Sequence, residues 1–118
     1  VKEPTEAQEW LDELVTGWVE VYKKSMTTLV LLQIIDELSA VPAATIRTEF
    51  TDRTSWQITE RGLYRTLKRL AGSGLLSVEA VPVERTGRPR KDYSLTDLGL
   101  DFLARLQSTT AAVDPSKG

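Results

Sequence analysis

The sequence predicts a mainly α-helical domain carrying one small β-hairpin, and three observations lead there. Apolar residues recur at helical spacing through most of the chain, and Gly72-Ser73-Gly74 cuts that pattern. Behind the cut, Leu76 to Leu95 shifts to β-branched and small residues that partly alternate around a Gly/Pro turn. With 118 residues, 41% hydrophobic, the chain has material for one modest core and not for two domains.

Thr5 followed by Gln8 reads as a capping box, and Glu6 and Glu9 suit the positive end of a helix. Trp10, Leu14, Trp18, Val21 and Tyr22 then recur at helical spacing, which predicts a first helix over 5–24. Met26, Leu29, Val30, Leu32, Ile35 and Leu38, with Leu31 and Ile34 between them, are apolar nearly all round, as expected of a second, buried helix. Pro42 opens a short helix over 43–52 whose Ala43, Ile46 and Phe50 share a face, and the polar run Asp52 to Gln57, holding Trp56, ends it. Thr59 is the expected N-cap of a helix over 59–71. At 100° per residue, its Leu63, Thr66, Leu67 and Leu70 cover one side and Arg61, Arg65, Lys68 and Arg69 the other, with Tyr64 at the boundary. Residues 76–95 form the hairpin, turned by Arg85-Thr86-Gly87-Arg88-Pro89. Thr96-Asp97 caps a last helix with Leu98, Phe102, Leu103 and Leu106 on its apolar face, and the small, polar tail 108–118 is expected to be disordered.

The chemistry open to this chain is narrow. Cysteine and histidine are both absent, which excludes disulfides, thiolate or imidazole metal ligands and Ser-His or Cys-His nucleophilic sites. No Gly-rich phosphate loop or metal cluster is visible, so an enzyme is not expected, and no cofactor is implied. The most apolar stretch, Met26 to Leu38, is interrupted by Thr27, Thr28, Gln33, Asp36 and Glu37 and is too short to span a membrane, so a cytoplasmic location without a membrane partner is expected. The first residue is Val1 rather than Met, as expected of a trimmed or processed fragment.

Overall charge, −2, carries no signature of a nucleic-acid binder, but its distribution does. Residues 61–91 hold Arg61, Arg65, Lys68, Arg69, Arg85, Arg88, Arg90 and Lys91 against only Glu79 and Glu84, a net +6 inside a remainder of net −8. Such asymmetry points to a surface that faces a polyanion. A buried helix, a short helix, a helix with one basic face and a hairpin with a basic tip follow one another in the order of a winged helix-turn-helix, here with an extra long N-terminal helix. A helix fits the major groove of duplex DNA, where Arg pairs bidentately with guanine, and a hairpin tip reaches flanking phosphates or the minor groove.

Arg61, Arg65 and Lys68 are therefore the candidate base readers, and Arg69, nearer the apolar stripe, is a candidate phosphate contact. Tyr64 divides between core packing and a hydroxyl on phosphate. Arg85, Arg88, Arg90 and Lys91 are the wing candidates, with Arg88 at the tip. Trp10, Trp18 and Trp56 suit core or interface packing better than an aromatic ligand pocket, and no effector is implied. Residues 1–25 form the expected dimerisation element, 26–107 the DNA-binding domain and 108–118 a tail. A different use of the same fold, docking of a protein on the acidic N-terminal half without DNA, stands as the alternative.

The runs LYRTLKRLAGSGLL (63–76) and GRPRKDYSLTDLG (87–99) also resemble the PadR family of bacterial winged-helix transcriptional regulators, over about residues 26–106. The resemblance rests on Tyr64, Leu67, Lys68, Arg69 and Leu70, the Gly74-Leu75 exit, the wing 87–91 with Tyr93, and Leu95-Thr96 before Gly99. It implies a homodimer on palindromic promoter DNA, usually a repressor, with helix 59–71 as reader. Arg65 stands where the family often has proline, and Arg61-Gly62 replaces its usual small-residue lead into that helix. Many members dimerise through extra C-terminal helices. Here one short helix ends the chain, which shifts that task to the Trp-bearing first helix, with Trp10, Leu14, Trp18, Phe102 and Leu106 as candidate interface residues. The short C-terminus and long N-terminal helix are similar to those of the cyanobacterial period-extender members, which modify the circadian clock.

Overall fold

A computed structural model describes residue 3 and residues 5–83 and 89–113. The capping box forms as the sequence predicts: Thr5 Oγ1 accepts from the Gln8 N–H at 3.2 Å, and Gln8 Oε1 accepts from the Thr5 N–H at 2.9 Å. It starts α1 (Glu6–Leu38), which runs for 33 residues, about 50 Å at 1.5 Å per residue. The two helices expected over 5–24 and 26–38, and with them a first element ending at residue 25, are thus one helix. No Gly or Pro lies between Trp18 and Val41 to interrupt it. The polar junction is accommodated within the helix, where the Thr27 hydroxyl donates to the Lys23 carbonyl at 2.7 Å.

Behind α1 come β1 (Val41–Pro42), α2 (Ala43–Thr54), α3 (Glu60–Gly72), β2 (Leu76–Val81), β3 (Arg90–Leu95) and α4 (Asp97–Ala112). The hairpin is the larger part of a three-stranded antiparallel sheet of order β1-β3-β2, in which Val78 and Val41 both pair with Tyr93. β1 gives no signal in the sequence, since two residues are too few to show a period. α4 extends to Ala112, so residues 108–112, expected in a disordered tail, are helical. No Gly or Pro lies between Gly99 and Ala112, and the Thr110 hydroxyl donates to the Leu106 carbonyl at 2.7 Å. Residues 114–118 lie outside the described residues.

The core gathers where the second half of α1 meets α2, α3 and the sheet. Leu31, Leu32, Ile34 and Ile35 of α1 are fully buried with Ile46, Phe50, Leu63 and Leu67. Arg53 ties α2 back to α1, reaching Glu37 at 2.6 Å as well as Glu49 at 3.3 Å. α4 is locked to the exit of α3. The Thr96 hydroxyl donates to the Gly74 carbonyl at 2.6 Å, and the Thr96 N–H donates to the Leu75 carbonyl at 3.1 Å. A Cβ on Gly99 would lie 2.1 Å from that Leu75 oxygen, so the close approach of the helix requires glycine.

Candidate nucleic-acid interface

α3 is held by its ends and by one face. At its start the Thr59 hydroxyl accepts from the Gly62 N–H at 2.9 Å, and beyond its end Gly74, at φ +81°, turns the chain into β2. Leu63, Leu67 and Leu70 anchor the inner face in the core. Arg61, Tyr64, Arg65, Lys68 and Arg69 are all exposed, so the basic face predicted from helical spacing is the outer face of the helix. Among the described residues, the ion pairs engage Arg53, Arg90 and Arg105, and none engages Arg61, Arg65, Lys68, Arg69 or Lys91. Their charge is left to attract an anion from outside.

The sheet sets the wing beside this face. On β3, side chains alternate sides, so Lys91 and Tyr93 point toward α3 while Arg90 and Asp92 point away together. Lys91 borders a shallow depression with Tyr64, Lys68 and Tyr93, which joins wing and helix in one basic surface. Arg90 is differently placed: its Nε meets Asp92 Oδ1 at 2.9 Å and its Nη2 meets Oδ2 at 3.3 Å. Asp92 is the one buried charged residue among those described, and this fork satisfies it. Much of the Arg90 charge is thereby spent within the protein, whereas Lys91 remains open. Arg85 and Arg88, the other wing candidates, lie outside the described residues.

Tyr64 stands between both uses foreseen for it. It is 46% exposed, yet it touches the depressions formed with Ala43 and Ala44 at the start of α2 and with Lys91 on β3. Burial pushes the phenol of neighbouring Tyr93 up, and the proximity of Tyr64 adds to the rise. Arg47 is a further cation near the site that sequence reasoning does not single out. Its Nε donates to the Ile58 carbonyl at 2.9 Å, pinning α2 to the turn before α3, and it shares a groove with Thr48, Glu60 and Tyr64. Its signal is weak, because Arg47 and Arg53 of α2 are balanced by Glu49 and Asp52.

Of the candidate interface residues, Trp10, Leu14 and Trp18 are 51–67% exposed on the first half of α1. Phe102 and Leu106 instead are half-buried against the protein's own core. Trp56 also packs there, in a series of rings: Phe50 to Trp56 at 6.5 Å, Trp56 to Tyr22 at 6.2 Å, and Tyr22 stacked on Trp18 at 5.4 Å. The depression that Trp56 borders, with Lys23, Thr27 and Phe50, opens to solvent and is not an enclosed aromatic cage.

Two helices joined by a five-residue turn, the second with an open basic face, and an antiparallel hairpin beside it define the winged-helix class. The profile of the "Transcriptional regulator PadR-like family" matches residues 31–105, and the chain belongs to that family. A PadR-like transcription factor from Bacteroides fragilis is 27% identical, with a TM-score of 0.70 over 82% of this chain and 91% of its own. A PadR family regulator from Eggerthella lenta shares the fold at 22% identity and a TM-score of 0.72, over 89% of each chain. A protein from Streptococcus mutans is 31% identical, with a TM-score of 0.58 over 71% of this chain and 74% of its own. No curated protein matches the sequence. These likenesses support the family and do not support the narrower resemblance to the cyanobacterial period-extender members.

Proposed function

We propose that this transcriptional regulator is a homodimer that recognises promoter DNA by sequence and represses from it, in the cytoplasm of a bacterial cell. α3 enters the major groove with Arg61, Arg65 and Lys68 toward base edges, and Arg69 and the Tyr64 hydroxyl on phosphates. Lys91, with Arg85, Arg88 and the free edge of Arg90, meets the flanking backbone or minor groove. The observation that carries this reading is the run of cations on α3 and Lys91, exposed on one surface with no carboxylate paired to any of them among the described residues. The dimer forms through the first half of α1 by Trp10, Leu14 and Trp18. Phe102 and Leu106, packed on their own core, contribute less.

Fluorescence anisotropy of labelled duplexes tests this. Affinity is expected to fall about a thousandfold or more between 50 and 200 mM salt if a dimer makes six to ten phosphate contacts. Lys91→Ala should weaken all duplexes alike, whereas Arg65→Ala should also blur the preference among sequences, by about 1–3 kcal/mol at the affected base pair. Absence of binding at low salt would overturn the reading in favour of protein docking on the acidic N-terminal half.

A further inference from the structure

α3 has a second flank, turned away from the wing. There Arg69 faces the middle of α1 across an open cleft of about 540 Å³, bordered on the α1 side by Glu20, Lys23, Lys24 and Ser25. Three cations thus converge on one cleft, with a single carboxylate, Glu20, about a turn before the lysines. None of the three cations is ion-paired among the described residues. The Lys23 ammonium rests 5.9 Å from the centre of the Trp56 ring, which lines the neighbouring depression and not this cleft. Lys23 thus stands at the edge of the cleft with its charge unneutralised, while Lys24 and Arg69 border it directly. The lysine pair also stands out in the sequence. From Glu3 to Tyr22 the chain has no basic residue, while Glu6, Glu9, Asp12, Glu13 and Glu20 follow Glu3 as acids, so the first positive charge on α1 arrives where the helix passes α3.

We propose that this cleft binds a backbone phosphate of the duplex, so that Lys23 and Lys24 of α1, with Arg69, grip the strand on the side of α3 opposite Lys91. The proposal rests on the DNA-binding reading above. Lysine serves as a point charge for phosphate and arginine as a fork. Ser25 adds a hydroxyl donor, whereas the hydroxyls of Thr27, Thr28 and Thr66 at the cleft are already turned to carbonyls of their own helices. With the wing on one flank and α1 on the other, the reading helix is held in the groove from both sides, and Arg69 acts as a positioning contact that carries no base information.

The test is the same anisotropy titration on two mixed-sequence duplexes and one preferred duplex, with the parent chain, Lys24→Gln, the pair Lys23→Gln/Lys24→Gln, and Glu20→Gln. All these positions are exposed on a helix, and an unchanged circular dichroism melt verifies folding. The lysine variants should lower affinity for every duplex by a similar factor, leave the sequence preference intact, and reduce the salt slope by about one for each phosphate no longer held. Each such phosphate accounts for about a threefold share of the affinity drop between 50 and 200 mM salt. Glu20→Gln should tighten binding. Parental affinity and slope in the lysine pair would overturn the cleft assignment while leaving DNA binding by α3 in place. A parent chain that binds no duplex would overturn the DNA reading itself, and the cleft assignment with it.

Discussion

The two halves of α1 belong to one unbroken helix and meet opposite fates. From Met26 to Leu38 it is apolar nearly all round and supplies four fully buried side chains to the core. From Glu6 to Ser25 every residue is exposed except Val19, which is half-buried. Yet this half is also rich in large apolar groups, since Trp10, Leu11, Leu14, Val15, Trp18, Val21 and Tyr22 are 43–67% exposed. At 100° per residue these seven fall within an arc of about 140°, while Glu6, Glu9, Asp12, Glu13 and Glu20 lie on the other side. Pattern rather than apolar content separates the halves. An all-round apolar helix needs surroundings, whereas a striped one needs a single partner along one side.

The contrast is broken most severely from the buried half. Ile35→Ala leaves a cavity where no surface is exposed, and should cost about 2–5 kcal/mol, seen as a loss of roughly 10 °C or more in the thermal midpoint. In the striped half the same class of change should act on association instead. Leu14→Glu places a charge on a half-exposed site within the stripe, so sedimentation equilibrium should show monomers, while stability below the association range stays within about 0.5 kcal/mol. A parental assembly in that variant would place the dimer interface elsewhere. The smallest effect sharpens the comparison from the backbone. A Cβ on Gly17 would meet nothing within 4 Å, so Gly17→Ala should stiffen the striped half by about 0.5–1 kcal/mol, read as increased helical signal at elevated temperature.

The same helix shows what a sequence discloses and what it hides. The basic face of α3 is legible because its four cations and its buried leucines repeat at 3.6 residues, and the hairpin because Gly72-Ser73-Gly74 and Gly87 bracket its first strand. The continuity of α1 is not legible. Lys23, Lys24 and Ser25 interrupt the apolar pattern, which looks like a boundary until Thr27 is seen bonded back to the Lys23 carbonyl. Charge alone groups Arg90 with the wing cations. Its pairing with Asp92 follows from strand alternation, which puts residues two apart on one side, but only once the strand limits are known. The cleft between α1 and α3 joins residues more than forty positions apart, and no local spacing announces it.

Because α1 passes from the core into the striped half without a joint, the two are geared together. In an assembly joined along the stripes, the crossing angle of the paired arms is transmitted to the body, and so fixes how far apart two copies of α3 can sit. Half-sites on DNA recur about one helical turn, or roughly 34 Å, apart. One residue added between Tyr22 and Leu29 would swing the arm by about 100° about its own axis, turning the stripe from its mate. The length of that stretch is therefore a ruler, set in whole residues, for the spacing of the sites the assembly can straddle.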